Sequence, residues 1–214
     1  GTLEADVPIE VTLALNGSAQ SLAPGVYTAS VLFDTDSPYL GDVTRTVTLA
    51  VGSPSVRYQW YLDTDPGWER EGDWAFGQPM GQGGSSGYPD PTSGHTGDYV
   101  FGYNLSGDYA NNMPERHLTT DAIDCSDLSL VTLRFWRWLG VEVPWFDHAY
   151  VRVSTDGLSW TNVSENDYEI ADSEWTLMEL DFSDIADGQE TVYVRWTMGE
   201  SEWTGTYCGW NIDD

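Results

Sequence analysis

The sequence predicts an all-β protein, in which a large antiparallel β-sandwich is preceded by part of a smaller β-domain. Apolar and polar residues alternate at period two in many short segments, and helical periodicity is almost absent. Turn-forming residues separate these segments. The chain has 214 residues, of which 40% are hydrophobic, so it is long enough to bury a core in one or two domains.

The composition divides the chain into two predicted domains. All 11 Trp residues lie at or beyond Trp60, after a Gly-Ser-Pro-Ser segment that is typical of a linker. We therefore expect a first β-domain over residues 1–53, a linker over 54–57 and a second domain over 58–214.

The first domain contains three predicted strands, at 9–15, 26–33 and 44–51. The turns between them contain Asn16-Gly17, Pro24-Gly25 and Ser37-Pro38. Three strands are too few to close a sandwich. We therefore expect the first strands of this domain to lie upstream and the chain to be part of a longer protein.

The second domain begins with a segment rich in Gly, Ser and Pro over 77–98, which predicts a long loop. Asp156-Gly157 between two alternating segments predicts a β-hairpin, and 183–187 could form one helical turn. Regular short strands separated by turns are typical of a sandwich. The predicted strands lie at 99–104, 116–119, 130–138, 148–154, 158–163, 174–182 and 191–197, followed by a final strand that contains Asp213.

The charge balance is strongly acidic. The chain has 35 acidic and 8 basic residues, a net charge of −27, and every basic residue is Arg. Such a chain is repelled by nucleic acid and by anionic lipid headgroups, and no segment is apolar enough for membrane insertion. The loss of Lys fits either an extracellular protein in salty, calcium-rich surroundings or a bias of the genome.

The sequence contains no recognisable catalytic constellation. None of the three His residues lies in a zinc-binding H-E-x-x-H motif. Residues 83–87 formally match G-x-S-x-G, but a nucleophile elbow needs a preceding strand and a following helix, and neither is predicted there. We therefore predict that the chain is not an enzyme.

Two segments resemble known families. SLAPGVYTASVLFDT, followed by RTVTLAV, is similar to Ig-like repeats of secreted bacterial proteins. Asp73-Trp74 and then PTSGHTGDYV are similar to the MAM pattern, in which a Trp-containing strand precedes a GP-x-x-D-H-T-x-G-x-Y loop. LTTDAIDCSD, LRFWRW, VRVSTDGLSW and GWNIDD continue that resemblance across 58–214. It implies an antiparallel jelly-roll β-sandwich preceded by a partial Ig-like β-domain, but Gly94 stands where the family loop has Asp.

Calcium is the one cofactor we predict, in a structural role. Ca²⁺ prefers carboxylate and carbonyl oxygens on loops, and MAM-like domains hold a structural cation between the two ends of the domain. The predicted ligands are Asp63, Asp65, Asp98 and Asp213, with Asp73 in reserve. The alternative is that these are solvated turn residues.

Cys125 and Cys208 are the only cysteines of the chain. In an extracellular protein such a pair favours a disulfide, whereas in a cytosolic protein two cysteines do not indicate one. A disulfide here would stabilise the fold by about 4–5 kcal/mol, because it restricts the unfolded chain. We predict that the pair is bonded.

Alternation along three predicted strands places Arg and aromatic residues together on the faces that point away from the core. If these strands are neighbours, the residues form one ligand-binding surface for a glycan or protein, since Trp, Tyr and Arg dominate interface hot spots. The structural alternative is that each Arg stacks on a ring and pairs with acids. The residues are Arg134, Trp136, Trp138, Tyr150, Arg152, Tyr193 and Arg195.

The function these observations favour is that of a non-catalytic extracellular module for binding or adhesion, part of a larger secreted or cell-surface protein. Its partners would be a glycan or protein at the cell surface, or sister modules. The alternatives are an architectural repeat of a surface layer or filament, and an accessory domain of a secreted peptidase or glycoside hydrolase.

Overall fold

A computed structural model of the chain describes residues 12, 14–33 and 42–214. The chain divides into two units, residues 1–55 and residues 56–214. The described residues include no helix that is long and apolar enough to cross a membrane.

The described part of unit 1 is a two-stranded antiparallel sheet. Strand β1 (Gly25–Phe33) pairs with β2 (Val43–Val51) along its whole length. A short 3-10 helix, Gly17–Ser21, precedes them, and its first turn is capped by Asn16, whose side chain accepts a hydrogen bond from the Ser18 N–H at 3.0 Å.

Two of the three strands predicted in this unit, at 26–33 and 44–51, are confirmed by β1 and β2. The third, at 9–15, is not a strand at its described residues 12, 14 and 15, and the rest of it lies outside the described residues. The predicted Ser37-Pro38 turn also lies outside them.

Unit 2 is built from short strands and one helical turn. In chain order these are β3 (Glu69–Arg70), β4 (Trp74–Gly77), β5 (Val100–Tyr103), β6 (Arg116–Thr119), β7 (Thr132–Val141), β8 (Ala149–Ser154), β9 (Thr161–Glu165), β10 (Ile170–Ala171), β11 (Thr176–Asp181), α1 (Ser183–Ala186), β12 (Tyr193–Met198) and β13 (Gly209–Asp213).

These strands form two antiparallel sheets, as the predicted sandwich requires. Sheet I has the order β10-β7-β13-β5-β4, with β11 also paired to β7. Sheet II has the order β3-β6-β12-β8-β9. The closing strand β13 lies between β5 and β7, so the end of the chain is held in the middle of sheet I.

Aromatic rings join the two sheets in a shared core. Trp68 stacks between Phe101 of sheet I and Trp196 of sheet II, with ring centroids 5.2 and 5.7 Å away. Phe135 of sheet I packs edge-on against Trp196 at 5.4 Å. Large rings carry much of the apolar area that is buried, so the concentration of Trp after residue 60 builds this core.

All seven strands predicted at 99–197 in the second domain are confirmed to within a few residues, as are the final strand, the long loop over 77–98 and the helical turn at α1. The hairpin at Asp156-Gly157 is also confirmed, and Gly157 adopts the positive φ of 71° that this turn requires. The short strands β3 and β10 were not predicted, because segments of two residues are too short to show an alternating pattern. Strand β4 begins at Trp74, where the MAM resemblance implies a strand.

The predicted disulfide is wrong, because Cys125 and Cys208 are free and buried. The backbone N–H of Cys125 donates to the Gln189 carbonyl at 2.9 Å, beside the edge of sheet II. Cys208 precedes β13 and lies against β7 of sheet I, where a Cβ on Gly140 would come within 2.8 Å of its sulfur. The two residues are thus held by different sheets, and burial raises the pKa of both thiols.

We therefore expect a reductant to leave the melting temperature of the chain unchanged. Ellman's reagent should react slowly with the native chain and should report both thiols after unfolding in guanidinium, because buried neutral thiols are poor nucleophiles. A melting temperature that falls on reduction would contradict this arrangement.

Candidate functional site

Asp213, one of the predicted calcium ligands, is buried at the end of β13 with an exposed fraction of only 1%. Its Oδ2 accepts a hydrogen bond from the Thr96 N–H at 3.0 Å, so the loop before β5 is attached to the end of the chain. Its Oδ1 has no hydrogen-bond partner among the described residues. Burial raises the pKa of Asp213 to about 6.

The loop at Gly94 brings further oxygen atoms towards this carboxylate. A Cβ on Gly94 would lie 2.6 Å from Asp213 Oδ2 and 2.8 Å from the Tyr99 carbonyl oxygen. It would lie closer still to the Thr96 carbonyl oxygen. Asp63 Oδ1 also approaches this loop, 2.8 Å from where a Cβ on Gly97 would lie. Two carboxylates and two carbonyl groups thus lie at one loop, and these donors suit Ca²⁺.

The structure shows no contact between the carboxylates of the remaining predicted ligands and Asp213, although Asp98 itself lies in this loop. Asp65 binds within its own segment, to Arg70 Nη2 at 2.9 Å and to the Gly67 N–H at 2.8 Å. Asp98 is exposed. The reserve ligand Asp73 accepts a hydrogen bond from the Asn104 N–H through its carbonyl. The described residues contain no group of three or more His, Cys, Asp and Glu that could hold a metal, so a cation here would depend on backbone carbonyls.

The predicted Arg–aromatic surface is divided between the two sheets, which corrects the expectation of one surface. Arg134, Trp136 and Trp138 lie on β7 of sheet I. Tyr150 and Arg152 lie on β8 of sheet II, with Tyr193 and Arg195 on the neighbouring β12. Alternation assigns residues to a face of their own strand but does not show which sheet the strand joins.

On sheet II, both Arg side chains are engaged by neighbours. Arg152 stacks over the Tyr150 ring at 4.2 Å and binds both carboxylate oxygens of Glu115, at 2.6 and 2.7 Å. Arg195 lies 3.7 Å over the Trp160 ring and donates to Thr119 Oγ1 at 2.9 Å. These contacts fit the structural alternative, in which stacking and pairing saturate the guanidinium groups.

On sheet I, the long loop before β5 covers the aromatic residues. His95 stacks on Trp136 with ring centroids 3.7 Å apart, and the Trp138 indole N–H donates to the Pro89 carbonyl at 3.1 Å. Arg134 forms an exposed ion pair with Glu179 at 2.8 Å. An exposed pair of this kind contributes little to stability.

A different part of unit 2 exposes aromatic residues to solvent. Among the eleven Trp residues, only Trp145 and Trp203 are mostly exposed, at 88% and 71%. Trp145 and the exposed Phe146 lie between β7 and β8, Trp203 lies between β12 and β13, and the exposed Tyr168 lies between β9 and β10. We call Trp145, Phe146, Tyr168 and Trp203 the loop-end surface.

The three loops that carry the loop-end surface are joined by buried hydrogen bonds of two side chains, those of Asp147 and Asn166. This carboxylate is fully buried, and it accepts hydrogen bonds from the Tyr109 hydroxyl and, at 2.9 Å, from the Glu202 N–H. The Asn166 amide donates to the carbonyls of Glu142 and Asp147 at 2.9 and 3.0 Å. Each aromatic residue lies within three positions of one of these bonded residues, so buried hydrogen bonds hold the backbone that carries it.

A cleft of about 280 Å³ adjoins Trp145. Its wall includes His148 and Tyr150, whose rings stack with centroids 5.6 Å apart. The other lining residues are Pro144, Glu165, Asn166 and Asp167. This cleft is large enough for a single side chain or one sugar ring, and it is rich in acceptor oxygens.

The loop-end surface was not predicted, although the sequence contains a signal for it. The Pro-Trp-Phe-Asp segment at 144–147 and Glu202-Trp203 both place a Trp beside acidic residues outside any predicted strand. A large apolar residue in a polar loop is not needed for the core, and exposed apolar clusters commonly mark interaction sites.

The described His side chains are occupied in ways that do not activate a nucleophile. His117 Nδ1 lies 2.9 Å from Thr197 Oγ1, but Thr197 is fully buried, and burial lowers the pKa of His117. His95 Nδ1 lies 3.0 Å from Asp214 Oδ2. Ser85, in the formal G-x-S-x-G match, lies in a loop without a flanking strand or helix.

Comparison with known proteins gives one curated relative. The chain is 30% identical over 178 residues to bacillopeptidase F of Bacillus subtilis (strain 168), a match that covers 81% of this chain and 11% of that protein. The chain therefore spans only about a ninth of that relative's length. No family model matches the chain.

Two solved structures are distantly similar. Carbohydrate-binding modules of the β-sandwich superfamily, described for their promiscuous specificity, match at 12% identity and a TM-score of 0.47, over 89% of this chain and 73% of theirs. The K1 cleaved adhesin domain of Lys-gingipain from Porphyromonas gingivalis W83 matches at 15% identity and a TM-score of 0.42. This match covers 72% of this chain and 92% of the adhesin domain. Similarity this low assigns neither a family nor a ligand to this chain.

Proposed function

We propose that the chain is a non-catalytic binding module of a larger extracellular protein. In this proposal unit 2 is a MAM-like jelly roll that makes the contact with a partner, and unit 1 is part of an Ig-like spacer. The observation that carries the proposal is the loop-end surface, since Trp145 and Trp203 stay exposed while the other Trp residues pack. Exposed aromatic side chains on prefolded loops lose little entropy on binding.

A role as an accessory domain of a secreted peptidase is a second candidate. It is favoured by the similarity to a segment of bacillopeptidase F that makes up 11% of that protein. In such a protein, this module would hold the attached enzyme near its substrate and take no part in the chemistry.

The binding proposal is tested by retention of the full chain on a panel of immobilised surface polymers, both polysaccharides and proteins. We expect retention on at least one polymer, with affinity reduced at least tenfold in the Trp145→Ala/Trp203→Ala variant, because central aromatic side chains dominate interface energies. Leu158→Ala is the matched control, since Leu158 is 86% exposed in the β8–β9 hairpin. Equal retention of the wild type, the Trp145→Ala/Trp203→Ala variant and the Leu158→Ala variant would refute the proposal, and so would no retention on any polymer.

We further propose that Ca²⁺ stabilises unit 2 at the loop that contains Gly94. The support is the buried, unpartnered Oδ1 of Asp213 and the approach of Asp63 and of the Thr96 and Tyr99 carbonyls. A cation would neutralise the buried carboxylate and join the start of unit 2 to its last strand.

At pH 7.5, calcium at about a hundred times its dissociation constant is expected to stabilise the chain by about 2.7 kcal/mol, which raises its melting temperature by about 5–10 °C. The shift should disappear below pH 5, since the proton that Asp213 binds near pH 6 competes with the cation. Asp213→Asn should abolish it. Asp65→Asn, which alters a carboxylate bound to Arg70, should keep it. A calcium shift that survives Asp213→Asn would contradict the assignment.

A further inference from the structure

We propose that the loop-end surface binds cationic side chains, the Lys and Arg residues of a basic protein segment. This inference rests on the binding function proposed above and names the chemistry of its partner.

The loops around the surface carry negative charge. Apart from His148, every charged residue in 142–148, 165–169 and 199–206 is acidic, and Glu165, Asp167, Glu169 and Glu200 are exposed. The nearby Arg152 is already bound by Glu115 and Asn162. The field at these loops therefore attracts a cation and repels an anion.

One acceptor among these loops lacks a donor. Glu142 Oε2 is buried and has no hydrogen-bond partner among the described residues. It faces Gly205, so the carboxylate of Glu142 lies between the loop of Trp145 and the loop of Trp203. Burial and the neighbouring carboxylates of Asp147 and Glu202 raise the pKa of Glu142. An ammonium or guanidinium group bound at the surface of these loops would offset this repulsion.

The aromatic residues fit the same ligand. A cation is attracted to the face of an indole or phenol ring, and indole is the strongest of these. The cleft lined by Pro144 adds the His148 ring together with Glu165 and Asp167, whereas the Tyr150 ring already carries the Arg152 guanidinium. A long aliphatic stem with a charged end would contact the rings and reach the carboxylates, whereas a neutral sugar would leave the charges of the acids unmatched.

The test uses the uniformly ¹⁵N-labelled full chain and a short peptide of alternating Lys and Gly. Addition of the peptide is expected to shift the indole N–H signals of Trp145 and Trp203, and rising salt should weaken binding. Trp145→Ala and Trp203→Ala should each weaken binding about tenfold, and Glu142→Gln about threefold to tenfold. Leu158→Ala should leave it unchanged, and the Nε-acetylated peptide should bind at least tenfold more weakly.

Peptide affinity that is unchanged in both Trp variants would overturn the inference, because it would reflect only the net charge of −27. Equal binding of the acetylated peptide, or no binding of either peptide, would also overturn it. If a neutral oligosaccharide binds instead and the Trp variants lose it, the inference fails while the proposed binding function stands. If neither peptides nor any polymer of the panel binds, both fail.

Discussion

Replacement of Asp147 by Ala is expected to lower the free energy of unfolding by about 3 kcal/mol, since it leaves the buried Tyr109 hydroxyl and the Glu202 N–H without their acceptor. The cost is partly offset because the buried carboxylate, whose pKa burial raises, is itself removed. The melting temperature should fall by about 6–12 °C for a chain of this length. Thermal unfolding followed by near-ultraviolet circular dichroism measures it.

The matched control for this change is Asp167→Ala, an exposed acid in the neighbouring loop. Its melting temperature should stay within about 2 °C of the wild type, because surface changes away from such networks usually cost less than 0.5 kcal/mol. If both variants were equally stable, Asp147 would not be the residue that joins the loops.

Replacement of Asp90 by Asn is expected to stabilise the chain at pH 8 and to have little effect near pH 4. Asp90 is 2% exposed, and burial raises its pKa to about 7, with a further contribution from Asp108. Asn211 Nδ2 donates to Asp90 Oδ1 at 2.7 Å, while Asp90 Oδ2 and Asn211 Oδ1 have no partner among the described residues. A proton on Oδ2, or the amide of Asn at position 90, supplies a donor to this pair.

The direction of this pH dependence follows from the pKa values of Asp90 in the unfolded and folded chain. An Asp with a pKa of 3.8 when unfolded and about 7 when folded binds protons more tightly in the native state. The stabilisation that comes from this tighter proton binding is therefore complete below pH 4 and is lost as the pH rises through about 7. The wild type should lose about 2–4 kcal/mol relative to Asp90→Asn between pH 4 and pH 8. Urea unfolding of both proteins across this range measures the difference, and parallel pH profiles would contradict the assignment.

The sequence predicts the strands well because each buries one face. Val151 and Val153 on β8, and Val194 and Trp196 on β12, are buried as their alternation requires. The same alternation could not assign strands to sheets. Trp136 on β7 and Arg152 on β8 were predicted on one surface, yet β7 pairs with β13 and β8 pairs with β12, and both pairings depend on contacts distant in sequence.

The residues of the candidate sites are likewise brought together by contacts that are distant in sequence. Asp63 and Asp213 both approach the loop that contains Gly94, whereas Asp65 pairs with Arg70, three residues beyond Gly67. Trp145 and Trp203 are isolated loop residues in the sequence, and their loops are joined by hydrogen bonds between distant residues, such as Asp147 to Glu202 and His148 to Glu200. No local pattern in the sequence indicates such bonds.

The most direct measurement of the central claim is ¹⁵N relaxation of the backbone amides in loops 143–147, 166–169 and 200–205 of the free chain. If buried hydrogen bonds hold the exposed aromatic residues in a ready-made binding surface, the order parameters of these loops should be close to those of the strands, about 0.85. Values below about 0.6 in two or more of the loops, without a partner, would show that no such surface exists before binding.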